Sequence, residues 1–502
     1  MNKQTQEVEK NTLVEKANSK SQDDKFLKLG WKDNFELVKE KELLSVSHLK
    51  RFFERWHGDA NFRKQLSANS YETIFRYGLK IDPDKIRPLW DEKYENSCLK
   101  EELFNKIPNF DSLEHYQSLT EKIRPELMKS VASSSTNMQF KLWRQRQINR
   151  TASQMKQQFH NALVHAPICF ELSKGCSVGC WFCGVAAPRL SDIFFHTQEN
   201  ARLWQEVLVV MKEILGAAAG AGFCYWASDP LDNPDYEKFC LDFYEVLGGF
   251  PQTTTSQPMK DPDRVRALLK LSKEKGCVLN RFSILSLKTL NQVHEEFSAE
   301  ELALVKLVLL HEEANMPKAL SGKARERWLK KKDKDNKSYS PSQGTIACVT
   351  GFLFNMVDKS VKLISPCNAS NRWPLGYIVY EEGTFTDASD LRLLLERMID
   401  TNMSFNVEES SLIRFRRDLQ FDSLADGFQL SNSIKTFKFK GDLYLKELGK
   451  IISKADKTAA EISYLFEMRG ISSGHTLHNL NLMFNKGVLD SEPDLEHTAI
   501  LN

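Results

Sequence analysis

Between residues 30 and 165 the apolar positions fall at helical spacing, as in Leu49, Phe52, Phe53 and Trp56, with few β-branched clusters. That pattern predicts a largely helical N-terminal region. From 166 to 385 the pattern changes. Short apolar runs, PICFEL, GFCYWA, FPQTTT and VLNRFSIL, read as strands. They alternate with amphipathic stretches such as ENARLWQEVLVVMKEILGAAAG and DPDRVRALLKLSKEKG, which read as helices. Such alternation argues for parallel strands in a barrel-like or open α/β sheet. TIACVTGFLFNMVDKSVKLISPC breaks the alternation and reads as a hairpin. A helical connector is expected over 386–431. Residues 432–490 then form a small α/β unit, with a strand in KTFKFKG, two or three short helices and a closing GVLD. Residues 1–25 are polar throughout and read as a disordered tail.

Composition narrows the class without choosing a chemistry. The 502 residues are 41% hydrophobic and 27% charged, with a formal net charge of +2. This is globular material with room for several domains and no global signal for nucleic acid. No apolar run is long enough to span a membrane, and the N-terminus lacks the apolar core of a secretory signal. Seven of the ten cysteines are scattered, which is no disulfide framework, so a reducing cytoplasm is expected. Charge bias is local: residues 318–337 carry nine Lys or Arg against three acids. The stretch reads either as a solvated helix end with its loop or as a basic lid over a barrel mouth.

The concentrated chemistry is KGCSVGCWFCG, with Cys176, Cys180 and Cys183 in a C-x3-C-x2-C spacing. Three thiolates converging from one short loop suit an iron–sulfur cluster whose fourth iron stays open to an outside ligand. Gly175, Gly179 and Gly184 relax the loop. Its place directly after PICFEL puts it at the C-terminal end of a strand, where barrel enzymes build their sites. A zinc knuckle is the alternative, but His165 lies at the far end of that strand and is poorly placed as a fourth ligand.

The spacing, the aromatic Phe182 before the last cysteine and the preceding strand resemble the radical S-adenosylmethionine enzymes. The resemblance implies a partial (β/α)6 barrel and a [4Fe–4S] cluster on Cys176, Cys180 and Cys183. It also implies bound S-adenosylmethionine and an electron donor such as flavodoxin or ferredoxin. By the same analogy, Asp229 in YWASDPLDNPDY takes the acidic position of a motif contacting the S-adenosylmethionine amino group, although Ala227 and Ser228 replace its glycines. Asp229 also reads as a turn or capping residue before Pro230. Arg281 and Ser283 are placed to reach the carboxylate or ribose, and a strand arginine is as often structural.

ELSKGCSVGCWFCG together with SPCNASNRWPLGYIVYEEG is similar, more narrowly, to the radical amino-acid epimerases of ribosomal peptide maturation. The implied activity is conversion of L- to D-residues in a precursor peptide with a leader. Hydrogen is taken from Cα on one face and returned by a thiol from the other. The family's SPC phrase assigns the donor to Cys367, which would lie at the strand rim that also holds the cysteine loop; the alternative is an inert buried cysteine. Crosslinking, cleavage or methylation of a peptide are the rival radical chemistries. Residues 58–86 resemble nitrile-hydratase-like leader peptides, and read equally as a helical hairpin capped at Gly78. Residues 432–490 resemble PqqD-like winged-helix modules that capture leaders by strand addition. Their nine Lys or Arg against six acids suit an acidic leader. TLHNLNLMF carries no Lys or Arg, which disfavours a DNA-reading helix.

Overall fold

A computed structural model describes residues 40–91, 130–277, 279–314, 319–335 and 344–493. The expected tail at 1–25 lies outside them. The chain divides into two compact units, one of Met1–Ser134 with Asp229–Pro317 and one of Ser135–Ser228 with Lys318–Asn502. In chain order the strands are β1 (Ala166–Glu171), β2 (Ser173–Lys174), β3 (Asp192–Ile193), β4 (Thr254–Thr255), β5 (Asn280–Ile284), β6 (Val305–Leu309), β7 (Val349–Asn355), β8 (Ser360–Pro366), β9 (Tyr377–Thr384), β10 (Gln420–Leu424), β11 (Gly427–Ser431) and β12 (Thr436–Lys440). They form separate sheets, β1-β7-β8-β9, β4-β5-β6, β2-β3 and β10-β11-β12. The class is mixed α/β, and among the described residues no sheet closes into a barrel.

In the first unit, helix Glu40–Gly58 buries Val46, Leu49 and Phe52 against Phe62, Leu66 and Ile74 of the next two short helices. Asp59 accepts from Phe62 N to cap the first of these. The second ends with Gly78 at φ +63 and Leu79 N donating to Ile74 O, a glycine C-terminal motif. The leader-like stretch is therefore a helical hairpin that shares its core with helix Glu40–Gly58. β4, β5 and β6 pair in parallel, with Thr254 opposite Arg281 and Arg281 opposite Lys306. Sequence pattern did not single out β6. Phe282 packs on Phe297 from one side, while Arg281 and Ser283 project from the other. Helix Glu40–Gly58 joins this layer through Glu54, 3.1 Å from His294, and through Arg51, which donates to His294 O and Phe297 O.

In the second unit, β1 pairs in parallel with β7 and bridges Phe223 through Cys169. GFCYWA thus contributes a single bridge, not a strand. β7, β8 and β9 run antiparallel, the hairpin expected at 345–367. Phe170 meets Trp204 edge-on and stacks on Phe354; Phe140 stacks on Phe352. This core holds helices Met138–Gln154 and Gln198–Leu215 against the sheet.

The described elements of 30–165 are helices, divided between the units: Met138–Gln154 and Gln157–Ala162 belong to the second and the earlier ones to the first. One boundary needs correction. The connector over 386–431 is helical only at Ala388–Asn402. β10 and β11 lie inside its expected span, where the tight turn before Gly427 pairs them and Phe428 and Leu430 alternate along β11. The C-terminal module is therefore three antiparallel strands followed by helices Leu443–Ser453, Ala459–Glu467 and Ser473–Asn485, around Phe428, Leu430, Leu448, Ile462 and Leu480.

Candidate functional site

β1 delivers the chain into the cysteine loop. Glu171, at its last position, is held by two donors: Ala227 N to Oε1 at 2.7 Å and Asn355 Nδ2 to Oε2 at 3.1 Å. Burial pushes its carboxyl above the ordinary range. Sequence reading missed this residue, although an acid inside the apolar run PICFEL is a visible signal. The loop then folds back on itself. Ser191 N donates to Lys174 O at 2.9 Å, Cys176 N to Pro188 O at 3.0 Å and Leu190 N to Cys176 O at 3.2 Å. Gly175 makes this closure possible. Its φ is +85, and a Cβ there would lie 2.3 Å from Arg189 O. Gly179 at the tip has φ +67 but open space around it.

Cys176, Cys180 and Cys183 are half-buried cysteines outside any disulfide. Cys183 N donates to Cys180 O at 3.2 Å, and Ala187 N donates to Cys183 Sγ at 3.3 Å. Helix Gly322–Asp335 docks its first turn here, with Lys323 N donating to Cys183 O at 2.9 Å and Lys323 Nζ to Ala187 O at 2.6 Å. Phe182 is half-buried, edge-on to Trp181 at 5.0 Å. Among the described residues, no group of three or more His, Cys, Asp or Glu converges as one metal ion requires. A four-iron cube does not impose that convergence, because each thiolate binds a different iron. Three partly exposed thiols on one closed loop, with a backbone N–H already aimed at a sulfur, fit such a cluster.

Cys367 departs from its expected place. β8 returns antiparallel to β7, so its C-terminal end lies beside the start of β7 and hence of β1, not at the rim from which the cysteine loop leaves. The turn at Met356–Lys359 sets that direction, since two strands joined this tightly must run antiparallel. The loop nevertheless doubles back toward this end. A Cβ on Gly184 would meet Ile346 and Ser321; one on Gly376 would meet Thr345 Oγ1 at 2.4 Å and Ser321 Cβ at 3.4 Å. Gly376 O in turn accepts from Cys367 N at 3.0 Å. Ser321 thus stands between the Cys183 half of the loop and the strap that holds Cys367.

Cys367 is 3% exposed, and burial pushes its thiol up to about 12 despite the lowering effect of Arg150. Helix Met138–Gln154 fixes the residues before it. Arg150 Nη2 donates to Ser365 Oγ at 2.6 Å and Pro366 O at 2.8 Å, and Thr151 Oγ1 donates to Pro366 O at 3.1 Å. Beyond it, Asn368 Nδ2 donates to Gln154 O. Neither Arg150 nor Thr151 was foreseen, because nothing in the sequence ties 150 to 366.

Asp229, Arg281 and Ser283 belong to the other unit, where β4 and β5 bring them to one layer. Asp229 is fully engaged. Its Oδ1 accepts from Leu231 N at 3.0 Å and Thr255 Oγ1 at 2.8 Å, and its Oδ2 from Ser256 N at 2.7 Å. Burial raises its carboxyl pKa. That arrangement makes it the capping residue before Pro230. Arg281 keeps a buried Nε without a hydrogen-bond partner, and Ser283 is buried.

A protein of Sinorhizobium fredii (strain NBRC 101917 / NGR234), Uncharacterized protein y4wI, is 35% identical over 469 residues, covering 92% of this chain and 91% of that one. The chain belongs to the y4wI family. No family model and no solved structure matches it. The match to y4wI runs through nearly the whole of both chains, so the two share one architecture rather than one module. The y4wI name states no activity.

Proposed function

We propose that this protein is a radical S-adenosylmethionine epimerase that converts L- to D-residues in a ribosomally made precursor peptide, on a partial barrel built around β1. Cys176, Cys180 and Cys183 hold a [4Fe–4S] cluster. When bound, the cluster and S-adenosylmethionine supply the radical that takes the peptide Cα hydrogen. The chain's own part is to position the peptide and to return a hydrogen atom to the opposite face, which leaves a thiyl radical at Cys367 that one electron from the external donor and one proton restore to the thiol.

The observation that carries the reading is the cysteine loop, three partly exposed cysteines on one closed turn leaving β1 with Ala187 N donating to Cys183 Sγ, and Cys367 adds a candidate donor. A hydrogen-atom donor must keep its S–H, and a pKa pushed up to about 12 keeps it across the physiological range. Arg150 and Thr151 fix the residues on which it sits. Because Cys367 is buried, a peptide reaching it displaces part of the strap at 368–376. Asp229 is not carried into the site, since its oxygens already accept three hydrogen bonds.

The test is Cys367→Ala, with a co-produced precursor, in heavy water. Thiol protons exchange with solvent, so the wild type should leave deuterium at each inverted Cα. The variant should cleave S-adenosylmethionine and yield no D-residue. Epimerisation at the wild-type rate would assign the donor to another group.

A further inference from the structure

The cysteine loop presents one large apolar group to solvent. Trp181, between Cys180 and Phe182, is 47% exposed. Its face is covered by a charge, with the Arg327 guanidinium 4.1 Å from the ring centroid. The helix that brings Arg327 is anchored on the loop itself: Gly322 N donates to Pro374 O, and Lys323 donates to Cys183 O and Ala187 O. A Cβ on Gly322 would lie 2.5 Å from Cys183 O, so helix and loop meet backbone to backbone. Lys323 is used as the anchor and Arg325 donates to Asn371 Oδ1. That leaves Arg327 and Lys330 exposed beside the loop, and Arg189 is exposed on its returning arm. In Gly322–Lys330 four basic residues face one acid, Glu326.

We infer that Trp181, Arg189, Arg327 and Lys330 form the docking face for a small acidic protein that carries single electrons. The inference rests on the iron–sulfur reading of the loop. Under that reading, each turnover begins with an electron from outside the chain. Electron transfer between proteins weakens steeply with distance, so the carrier must seat where the cluster loop reaches the surface. Trp181 marks that place and gives the contact a desolvated aromatic centre. The basic rim draws an acidic partner and orients it. It also explains why so charged a helix is fixed by its first turn to a metal-binding loop. An acidic peptide is the competing occupant of a basic face, and the experiment separates the two.

The experiment uses the full chain with its cluster reconstituted, and a bacterial flavodoxin as the probe. Binding is measured by titration calorimetry for the wild type and for the R327E/K330E variant. The variant should bind flavodoxin about tenfold or more weakly. Wild-type affinity should fall as salt rises from about 50 to about 300 mM, as expected for exposed charges. Flavodoxin-driven S-adenosylmethionine cleavage should drop in parallel, while dithionite-driven cleavage and iron content stay at wild-type values. Equal flavodoxin affinities, or no binding by the wild type at low salt, would overturn the docking face. So would a variant that loses affinity for an acidic precursor peptide but not for flavodoxin. A wild type that takes up no iron fails the iron–sulfur reading itself, which is a separate and recognisable result.

Discussion

Gly175 and Gly179 offer a matched pair of substitutions on the cysteine loop. Both have positive φ, +85 and +67, so an alanine at either carries the same conformational cost of about 1–2 kcal/mol. They differ in what the new methyl meets. At Gly179 there is nothing within 4 Å; at Gly175 the Cβ falls 2.3 Å from the Arg189 carbonyl oxygen, a backbone atom that cannot swing aside. Relief requires the two arms to part, with loss of Cys176 N to Pro188 O and Leu190 N to Cys176 O. At about 1 kcal/mol each, those bonds bring the total for Gly175→Ala to roughly 3–4 kcal/mol. Gly179→Ala should stay near 1–2 kcal/mol. Hydrogen exchange of the Cys176 and Leu190 amides reads the difference directly. Protection at both should fall on the order of 10²–10³-fold in Gly175→Ala and by about tenfold in Gly179→Ala. Cluster loading should follow the same order. Equal protection in the two variants would refute the argument that the loop is closed by a glycine contact.

Cys367 should remain a thiol far into alkali. With its pKa near 12 against an ordinary value of about 8.5, its alkylation rate should stay low to about pH 10. The same raised value contributes stability that is present below about pH 8.5 and lost as pH rises toward 12; a labelling midpoint near 8.5 would contradict the burial. Asp229→Asn should lower the unfolding midpoint in urea without changing S-adenosylmethionine affinity, and the reverse result would return Asp229 to the cofactor. For the C-terminal module, K438E/K440E on β12, where both lysines are exposed, should weaken binding of an acidic precursor about tenfold while peptide-free S-adenosylmethionine cleavage is unchanged. Unchanged precursor affinity would move leader binding off that edge.

Local chemistry was legible in the sequence, and placement across distant elements was not. The three cysteines and the glycines among them announce their loop because spacing and φ are properties of adjacent residues. The Gly78 cap and the β7–β8 hairpin were readable for the same reason. That hairpin already turns β8 back toward the start of β7, so the rim placement of Cys367 came from the SPC resemblance and conflicted with the hairpin beside it. Arg150 looked like any basic residue on a helix, and its role exists only once Met138–Gln154 lies across the end of β8. β10 and β11 escaped because QFDSLADGFQLS is short, polar on one face and adjacent to a real helix. Phe182 was marked by position alone, and its half-burial against Trp181 gives no further sign of a cofactor contact.

The parallel pairing of β1 with β7 has a consequence for biogenesis. Ala166 is synthesised well before its partner Val349, and the whole of Asp229–Pro317 emerges between them. On the ribosome the cysteine loop therefore leaves the exit tunnel as an exposed thiol hairpin attached to a strand with no partner on its β7 side. The anchor helix from Gly322 follows the loop but precedes β7, and the strap that carries Gly376 comes after β7. Contacts so distant in sequence form slowly. The loop must therefore spend the interval as a reactive, oxidisable intermediate, and loading of the proposed cluster would be a late event, timed by completion of the chain rather than by the appearance of its cysteines.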